Sequence, residues 1–185
     1  MNSIFGTREA WVAGALDRYE RPLLQYAARI TQNGETARDV VQETFLRLCQ
    51  ADPAKIGDHL APWLYTVCRN HALNVCQKEA RMNSLYERRE AAYEPVTGRE
   101  NLTADAGVLA ERQEFHQRVR AIIDGLPHVQ QEAFWLKFRD GLTYREISGV
   151  MGVSLGTVSA AVCTALNVLR HELRSELDQR QEAQS

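Results

Sequence analysis

Between Thr143 and Leu169 the chain sets out, in order, a helix start, an apolar face, a glycine break, a second helix start and a second apolar face. Thr143 is an N-cap candidate, and Glu146 three residues on completes a capping box in which each side chain serves the other's backbone N–H. Ile147, Val150 and Met151 share one face, and Ser148 is small where two helices must approach closely. Gly152 suits the left-handed residue that closes a helix. Val153 can plug the turn, Ser154 caps the next helix, and Val158, Val162, Ala165 and Leu169 give that helix a buried stripe. These spacings predict a helix-turn-helix, whose second helix enters the DNA major groove. A plain helical hairpin would not need the cap, the small residue, the glycine and the second cap in that order.

The remainder is helical as well. Ala10 to Ile30 carries Val12, Leu16, Tyr19, Leu23, Leu24, Ala27 and Ile30 at helical spacing, with Pro22 expected to open a new helix at its first turn. Asn33-Gly34 is a break, and the pattern resumes through Ala37, Val40, Val41, Phe45, Leu46 and Leu48. Asp52-Pro53 and Ile56-Gly57-Asp58 read as a loop, followed by a third helix from Leu60 to about Arg81. Residues 83–107 hold a run of four charges, Glu87 to Glu90, then Pro95, Gly98 and Gly107, and read as a flexible linker. A helix from near Val108 to Leu126, another from Val129 to Phe138 and the helix-turn-helix complete the chain, the last helix reaching about Leu177. No strand alternation survives counting. The expected fold is all-α: two small helical domains, 1–82 and 108–177, joined by a flexible linker at 83–107, the second a four-helix domain with the helix-turn-helix, and a polar tail at 178–185.

Composition narrows the function. No apolar run reaches the roughly 18 residues of a membrane span, and Met1-Asn2-Ser3-Ile4-Phe5 lacks the basic start and apolar core of a signal peptide, so a cytoplasmic location without membrane insertion is expected. Cys49, Cys68, Cys76 and Cys163 form no CxxC pair; small buried or half-buried thiols are expected, with no metal site and no cofactor. Cys68 and Cys76 lie about two helical turns apart with His71 between them, which leaves a redox role open. The formal net charge is −2, and each half is nearly balanced: ten Lys/Arg against nine Asp/Glu over 1–82, nine against ten over 108–185. DNA contact must therefore come from local stripes rather than from a basic domain.

With these elements in place, a resemblance becomes specific. Leu126-Pro127, Gln131-Glu132-Ala133-Phe134, Gly141-Leu142-Thr143-Tyr144-Arg145-Glu146-Ile147 and Gly152-Val153-Ser154-Leu155-Gly156-Thr157-Val158 resemble the C-terminal domain of extracytoplasmic-function sigma factors. In that family the domain reads the minus-thirty-five promoter element. Ala37-Arg38-Asp39-Val40-Val41-Gln42-Glu43-Thr44-Phe45-Leu46-Arg47-Leu48 is similar to the family helix that docks on the clamp helices of the polymerase β′ subunit, and Trp63 to Asn74 to its minus-ten recognition helix. The matches occur in family order and span about Glu9 to Leu173.

The resemblance implies a sigma factor that directs core RNA polymerase to promoters, with the β′ clamp helices, the β flap, promoter DNA and an anti-sigma factor as partners, and with no small-molecule substrate. No intermediate domain of the larger sigma factors is apparent, which by resemblance favours control by an anti-sigma partner. The implied polymerase-binding residues are Asp39, Val40, Gln42, Glu43 and Phe45. For the minus-ten element they are Trp63, Tyr65, Arg69, Asn70, Asn74, Lys78 and Arg81: amides for a flipped base, cations for phosphates. A core role is expected for Trp63 rather than base stacking, while Tyr65 is open between the two.

The second helix of the helix-turn-helix departs from the family. Members commonly carry several Lys, Arg or His residues after Gly-Thr-Val, yet here no charge occurs from Ser154 to Leu169. Base readout falls to Ser154, Thr157, Ser159, Ala160, Thr164 and Asn167, and phosphate contact to flanking Lys137, Arg139, Arg145, Arg170 and Arg174. Either the helix reads its element with few charges and leans on polymerase for affinity, or this face contacts protein.

Two alternatives remain at this point: a helix-turn-helix regulator that works without polymerase, and a sigma-like adaptor that does not support initiation. An enzyme is not expected. There is no P-loop and no HExxH, and His59, His71, His116, His128 and His171 are scattered. Gly152-Val153-Ser154-Leu155-Gly156 matches the GxSxG hydrolase pattern, but that motif needs a strand before its serine, and a helix is expected there.

Overall fold

The computed structural model describes the backbone of residues 3–83 and 106–182, with side chains over 8–81 and 113–174. Among the described residues all regular structure is helical: α1 (Ser3–Thr31), α2 (Gly34–Gln50), α3 (Pro53–Ile56), a 3₁₀ turn (Gly57–His59), α4 (Leu60–Asn83), α5 (Ala106–Asp124), α6 (His128–Phe138), α7 (Tyr144–Met151) and α8 (Leu155–Glu182). The chain forms two compact units, one holding α1–α4 and the other α5, α6, α8 and the greater part of α7. Of the expected linker, 84–105 lie outside the described residues, as do 183–185 of the tail. The rest of the tail is helical: α8 runs to Glu182, past the expected end near Leu177, because neither glycine nor proline follows Gly156 to stop it.

In the first unit α1, α2 and α4 pack against one another in pairs. Leu23, Tyr26 and Ala27 of α1, Val40, Val41, Thr44, Phe45 and Leu48 of α2, and Leu64, Tyr65, Cys68 and Ala72 of α4 are buried. Each fully buried Leu or Val contributes about 1.5–3 kcal/mol, and the alanines allow the helices to approach closely. Pro22 does not open a new helix; it sits inside a continuous α1. An interior proline costs about 3 kcal/mol, and the buried Leu23, Tyr26, Ala27 and Ala28 beyond it supply the packing that offsets it.

The break between α1 and α2 is built differently from the Asn33-Gly34 reading. The left-handed residue is Gln32, at φ 54°, while Gly34 lies in the first turn of α2. Asn33 is the N-cap, its Oδ1 accepting from the N–H groups of Glu35 and Thr36 at 2.9 and 3.1 Å. The segment expected as a loop holds α3, with Asp52 as N-cap and Pro53 at the first helical position. At the far end of α2, Arg8 donates from Nη2 to the carbonyls of Cys49 and Ala51 at 2.7 and 2.6 Å, closing groups that the helix leaves unpaired.

In the second unit α8 packs on α5 and α6 around Ile123, Phe134 and Ala165, flanked by Val119, Leu126, Trp135, Leu166 and Leu169. Gln131 holds the α5–α6 turn by donating from Nε2 to the carbonyls of Asp124 and Leu126. The α6–α7 loop turns at Gly141, φ 74°, and is tied by a bidentate Arg139–Asp140 pair whose two contacts are each 2.6 Å. No single helix among the described residues is long and apolar enough to cross a membrane.

Candidate nucleic-acid interface

The α7–α8 element has the local construction expected of it. Thr143 and Glu146 form the capping box, with Thr143 N–H donating to Glu146 Oε2 at 2.7 Å and Glu146 N–H donating to Thr143 Oγ1 at 3.3 Å. Gly152 is left-handed at φ 67°, ψ 30°, and Thr157 N–H donates to Ser154 Oγ at 3.1 Å. The two helix axes bend by 108° across the turn, within the range of a helix-turn-helix. Ile147, Val150, Met151, Val158, Ala161, Val162 and Ala165 are buried. A helix precedes Ser154, so the GxSxG match has none of the strand geometry a nucleophile elbow needs.

That burial turns the other side of α8 outward. Ser154, Thr157, Ser159, Ala160, Thr164 and Asn167 are all exposed, as are Arg145 and Arg170. Leu155, 51% exposed at the start of the helix, belongs to this surface and was not anticipated. Two of the anticipated cations have internal partners. Lys137 Nζ donates to the Leu142 carbonyl at 3.3 Å and lies 5.3 Å from the Tyr144 ring centre, while Arg139 is held by Asp140. Both side chains brace the loop that leads into α7.

On α4 the buried residues Leu64, Tyr65, Cys68 and Ala72 define the inner face. Trp63, Asn70, Asn74 and Arg81 are spaced by seven, four and seven residues and so fall on the opposite face. Asn70, Asn74, Lys78 and Arg81 are exposed; Trp63 and Arg69 are half-buried. The two amides stand one turn apart, about 6 Å along the axis. Trp63 is thus an outward residue with one side covered, against the core role expected for it. Tyr65 is corrected from the DNA-contacting set: it is 1% exposed, its ring edge-on to Tyr26 with centroids 5.2 Å apart. A ring enclosed in this way cannot stack on a base.

The α2 surface sorts in the same manner. Asp39 and Gln42 are exposed and Glu43 half-buried, its carboxylate accepting from Arg47 at 2.9 Å. Val40 and Phe45 are corrected: they are 0% and 6% exposed and belong to the α1–α2–α4 core, so they support the helix from within. The apolar residue on the outer face is Leu46, 51% exposed, three and four residues beyond Glu43 and Gln42. Its signal was in the sequence, since a leucine at that spacing from Asp39, Gln42 and Glu43 shares their side of the helix.

The thiols are chemically quiet where they are buried. Burial pushes the Cys68 thiol up to about 12, against a smaller opposing effect of the Thr44 hydroxyl, and raises Cys76 too, with Glu79 adding to it. Cys49 and Cys163 are exposed, contrary to the expectation of buried or half-buried thiols throughout. Among the described residues no group of His, Cys, Asp and Glu could hold a metal ion.

Comparison with known proteins matches the two units separately and in order. Residues 15–82 match Sigma-70 region 2, and residues 116–169 match Sigma-70, region 4. The chain is 32% identical over 150 residues to the ECF RNA polymerase sigma factor EcfG of Rhodopseudomonas palustris, covering 80% of this chain and 76% of that one. It is 27% identical to the ECF RNA polymerase sigma factor SigW of Bacillus subtilis, covering 91% of each. Among solved structures, the sigma factor RpoE in complex with the anti-sigma factor NepR from Bartonella quintana has a similar fold, with TM-score 0.65 and 21% identity over 88% of this chain and 96% of that one. CnrH in complex with the cytosolic domain of CnrY is also similar, with TM-score 0.55 and 20% identity over 90% of each chain.

Proposed function

The chain belongs to the extracytoplasmic-function sigma factors, and from that premise we propose how its two units divide the work. A sigma factor directs core RNA polymerase to specific promoters for transcription initiation, and this chain does so. The readings as a polymerase-independent regulator or an inactive adaptor are not favoured. Sigma factors as a class are initiation factors rather than enzymes.

The first unit, residues 1–82, fastens the chain to polymerase and opens the minus-ten region. Asp39, Gln42 and Glu43 form a polar rim around the exposed Leu46, which suits a partner helix on the β′ clamp that bears Arg and polar groups. Asn70 and Asn74 receive an unstacked minus-ten base, with Trp63 beside it and Arg69, Lys78 and Arg81 on the phosphates. Residues 83–107 link the units. The second unit, 108–177, reads the minus-thirty-five element with α8 and touches the β flap, while Arg145, Arg170 and Arg174 meet phosphates. The chain acts in the cytoplasm, where an anti-sigma partner binds it, as the anti-sigma factor NepR is in complex with RpoE.

One observation carries this reading: the outward face of α4 aligns Trp63, Asn70, Asn74 and Arg81 opposite a fully buried Tyr65 and Cys68. An amide-and-cation stripe with an aromatic at its end is the chemistry that holds a melted strand. The test is transcription in vitro from a genomic library with core polymerase and this protein, mapping start sites. Discrete start sites sharing spaced minus-ten and minus-thirty-five elements support the proposal; transcripts identical to those of core enzyme alone refute it.

A further inference from the structure

The outermost line of α8 is as unusual for its size as for its lack of charge. Taking buried Val158, Val162 and Ala165 as the inner face, Gly156, Ala160, Cys163 and Asn167 fall directly opposite, at spacings of four, three and four, and all four are exposed. No charged residue occurs from Ser154 to Leu169. Lys137 and Arg139, the cations anticipated on one flank, are engaged within the α6–α7 loop.

Gly156, the glycine of the Gly-Thr-Val run, lies at the start of the same line. It is the second residue of α8, in the first turn, and no contact inside the protein requires a glycine there. Its φ is not positive, and a Cβ would meet only Ser154 Oγ at 3.8 Å, an ordinary contact. Exposed and without a β-carbon, it leaves room for close approach by something outside the chain.

Resting on the minus-thirty-five role assigned to α8, we infer that this helix seats unusually deep in the major groove and selects its element through apolar contact with thymine methyl groups, not through cationic contacts to guanine. Ala160 and the β-carbon-free Gly156 let the helix axis approach the base edges. Leu155 and the methyl groups of Thr157 and Thr164 flank that line and supply the apolar surface a thymine C5-methyl packs against. Ser159 and Asn167 remain to hydrogen-bond neighbouring edges. Thymine is the base that offers such a methyl in the major groove, and an Arg or Lys is what guanine recognition ordinarily uses.

The experiment uses holoenzyme assembled from core polymerase and the full chain, on the strongest promoter found by start-site mapping. Thymines of the minus-thirty-five element on either strand are replaced one at a time by deoxyuridine, which removes the C5-methyl alone. Removing a contacted methyl lowers promoter occupancy about fourfold. Gly156→Ala raises or preserves thermal stability while lowering transcription from that promoter several-fold, and leaves a promoter with a scrambled minus-thirty-five element unaffected. A purely structural glycine would give the opposite pairing, with lower stability and both promoters hit alike. The inference is overturned if base-pair substitutions in the element matter while deoxyuridine and Gly156→Ala do not, if selected elements contain no thymine, or if scrambling the element has no effect, in which case α8 faces protein. Each of these leaves initiation itself intact; the absence of any specific transcript would instead remove the sigma assignment along with it.

Discussion

Ser148 and Val153 hold the turn of the helix-turn-helix by reciprocal hydrogen bonds: Ser148 Oγ donates to the Val153 carbonyl at 2.6 Å, and Val153 N–H donates back to the Ser148 carbonyl at 3.2 Å. Gly152 sits between them in the left-handed conformation. The small residue noted in the sequence is therefore also a clasp, one that fixes the angle at which α8 leaves α7. Ser148→Ala removes one bond of the pair and costs about 1 kcal/mol. Gly152→Val forces a β-branched residue to positive φ and costs about 2 kcal/mol. Thermal denaturation checks the stabilities, and transcription from promoters with an intact or scrambled minus-thirty-five element shows that the loss is confined to the intact one.

The two sides of α2 allow the proposed docking to be tested apart from folding. Leu46→Asp places a charge on an exposed side chain, leaves the melting temperature within a degree or two, and weakens binding to core polymerase at least tenfold. Phe45→Ala, on the buried side, destabilises the first unit by about 3–5 kcal/mol. Fluorescence titration against core enzyme and calorimetry distinguish the two. Equal polymerase affinity for the wild-type protein and Leu46→Asp would remove this surface from the interface.

Asn70→Ala and Asn74→Ala leave stability and core-enzyme binding unchanged, since both amides are exposed, and lower strand opening at the minus-ten element about tenfold. Permanganate reactivity of unpaired thymines is the direct measurement. The double variant should lose less than the sum of the two if both amides serve one base.

The burial of Cys68 gives a pH dependence with a defined sign. Its thiol is raised from 9.0 to about 12 in the folded protein, so the neutral form is the one the core accepts. Below pH 9 both folded and unfolded chains hold the proton and stability is at its full value. Between 9 and 12 the unfolded chain ionises first, and the fold loses stability on the order of 1 kcal/mol per pH unit. Urea denaturation from pH 8 to 10.5 should show this decline, and Cys68→Ala should flatten it. Under native conditions Cys49 and Cys163, both exposed, should react with thiol reagents while Cys68 does not.

The helix-turn-helix was legible to the residue, because its signals are local: a cap, an acid three positions on, a glycine and a second cap each act within one turn. What lay beyond the sequence depended on tertiary packing. Pro22 carries a breaker's signature but is overridden by the apolar side chains that follow it. The break expected at Asn33-Gly34 falls at Gln32 and Asn33: Gln32 is left-handed and Asn33 is the N-cap, which places the glycine inside α2. Tyr65, Val40 and Phe45 entered the functional set because the family runs that contain them were read as whole segments. The period of each helix already divided those runs into an inner and an outer face. Applying it residue by residue would have kept Asn70, Asn74, Asp39 and Gln42, and exchanged Phe45 for Leu46.

The central claim is that the α2 surface attaches this chain to polymerase so that α4 can grip a melted strand. Its most direct test is size-exclusion chromatography of the purified protein, stripped of any inhibitor, with core RNA polymerase, followed by transcription from a mapped promoter. The account predicts co-elution at one chain per core enzyme and a discrete transcript that is absent with core alone. Separate elution of the two, with no transcript above that of core enzyme, would contradict it.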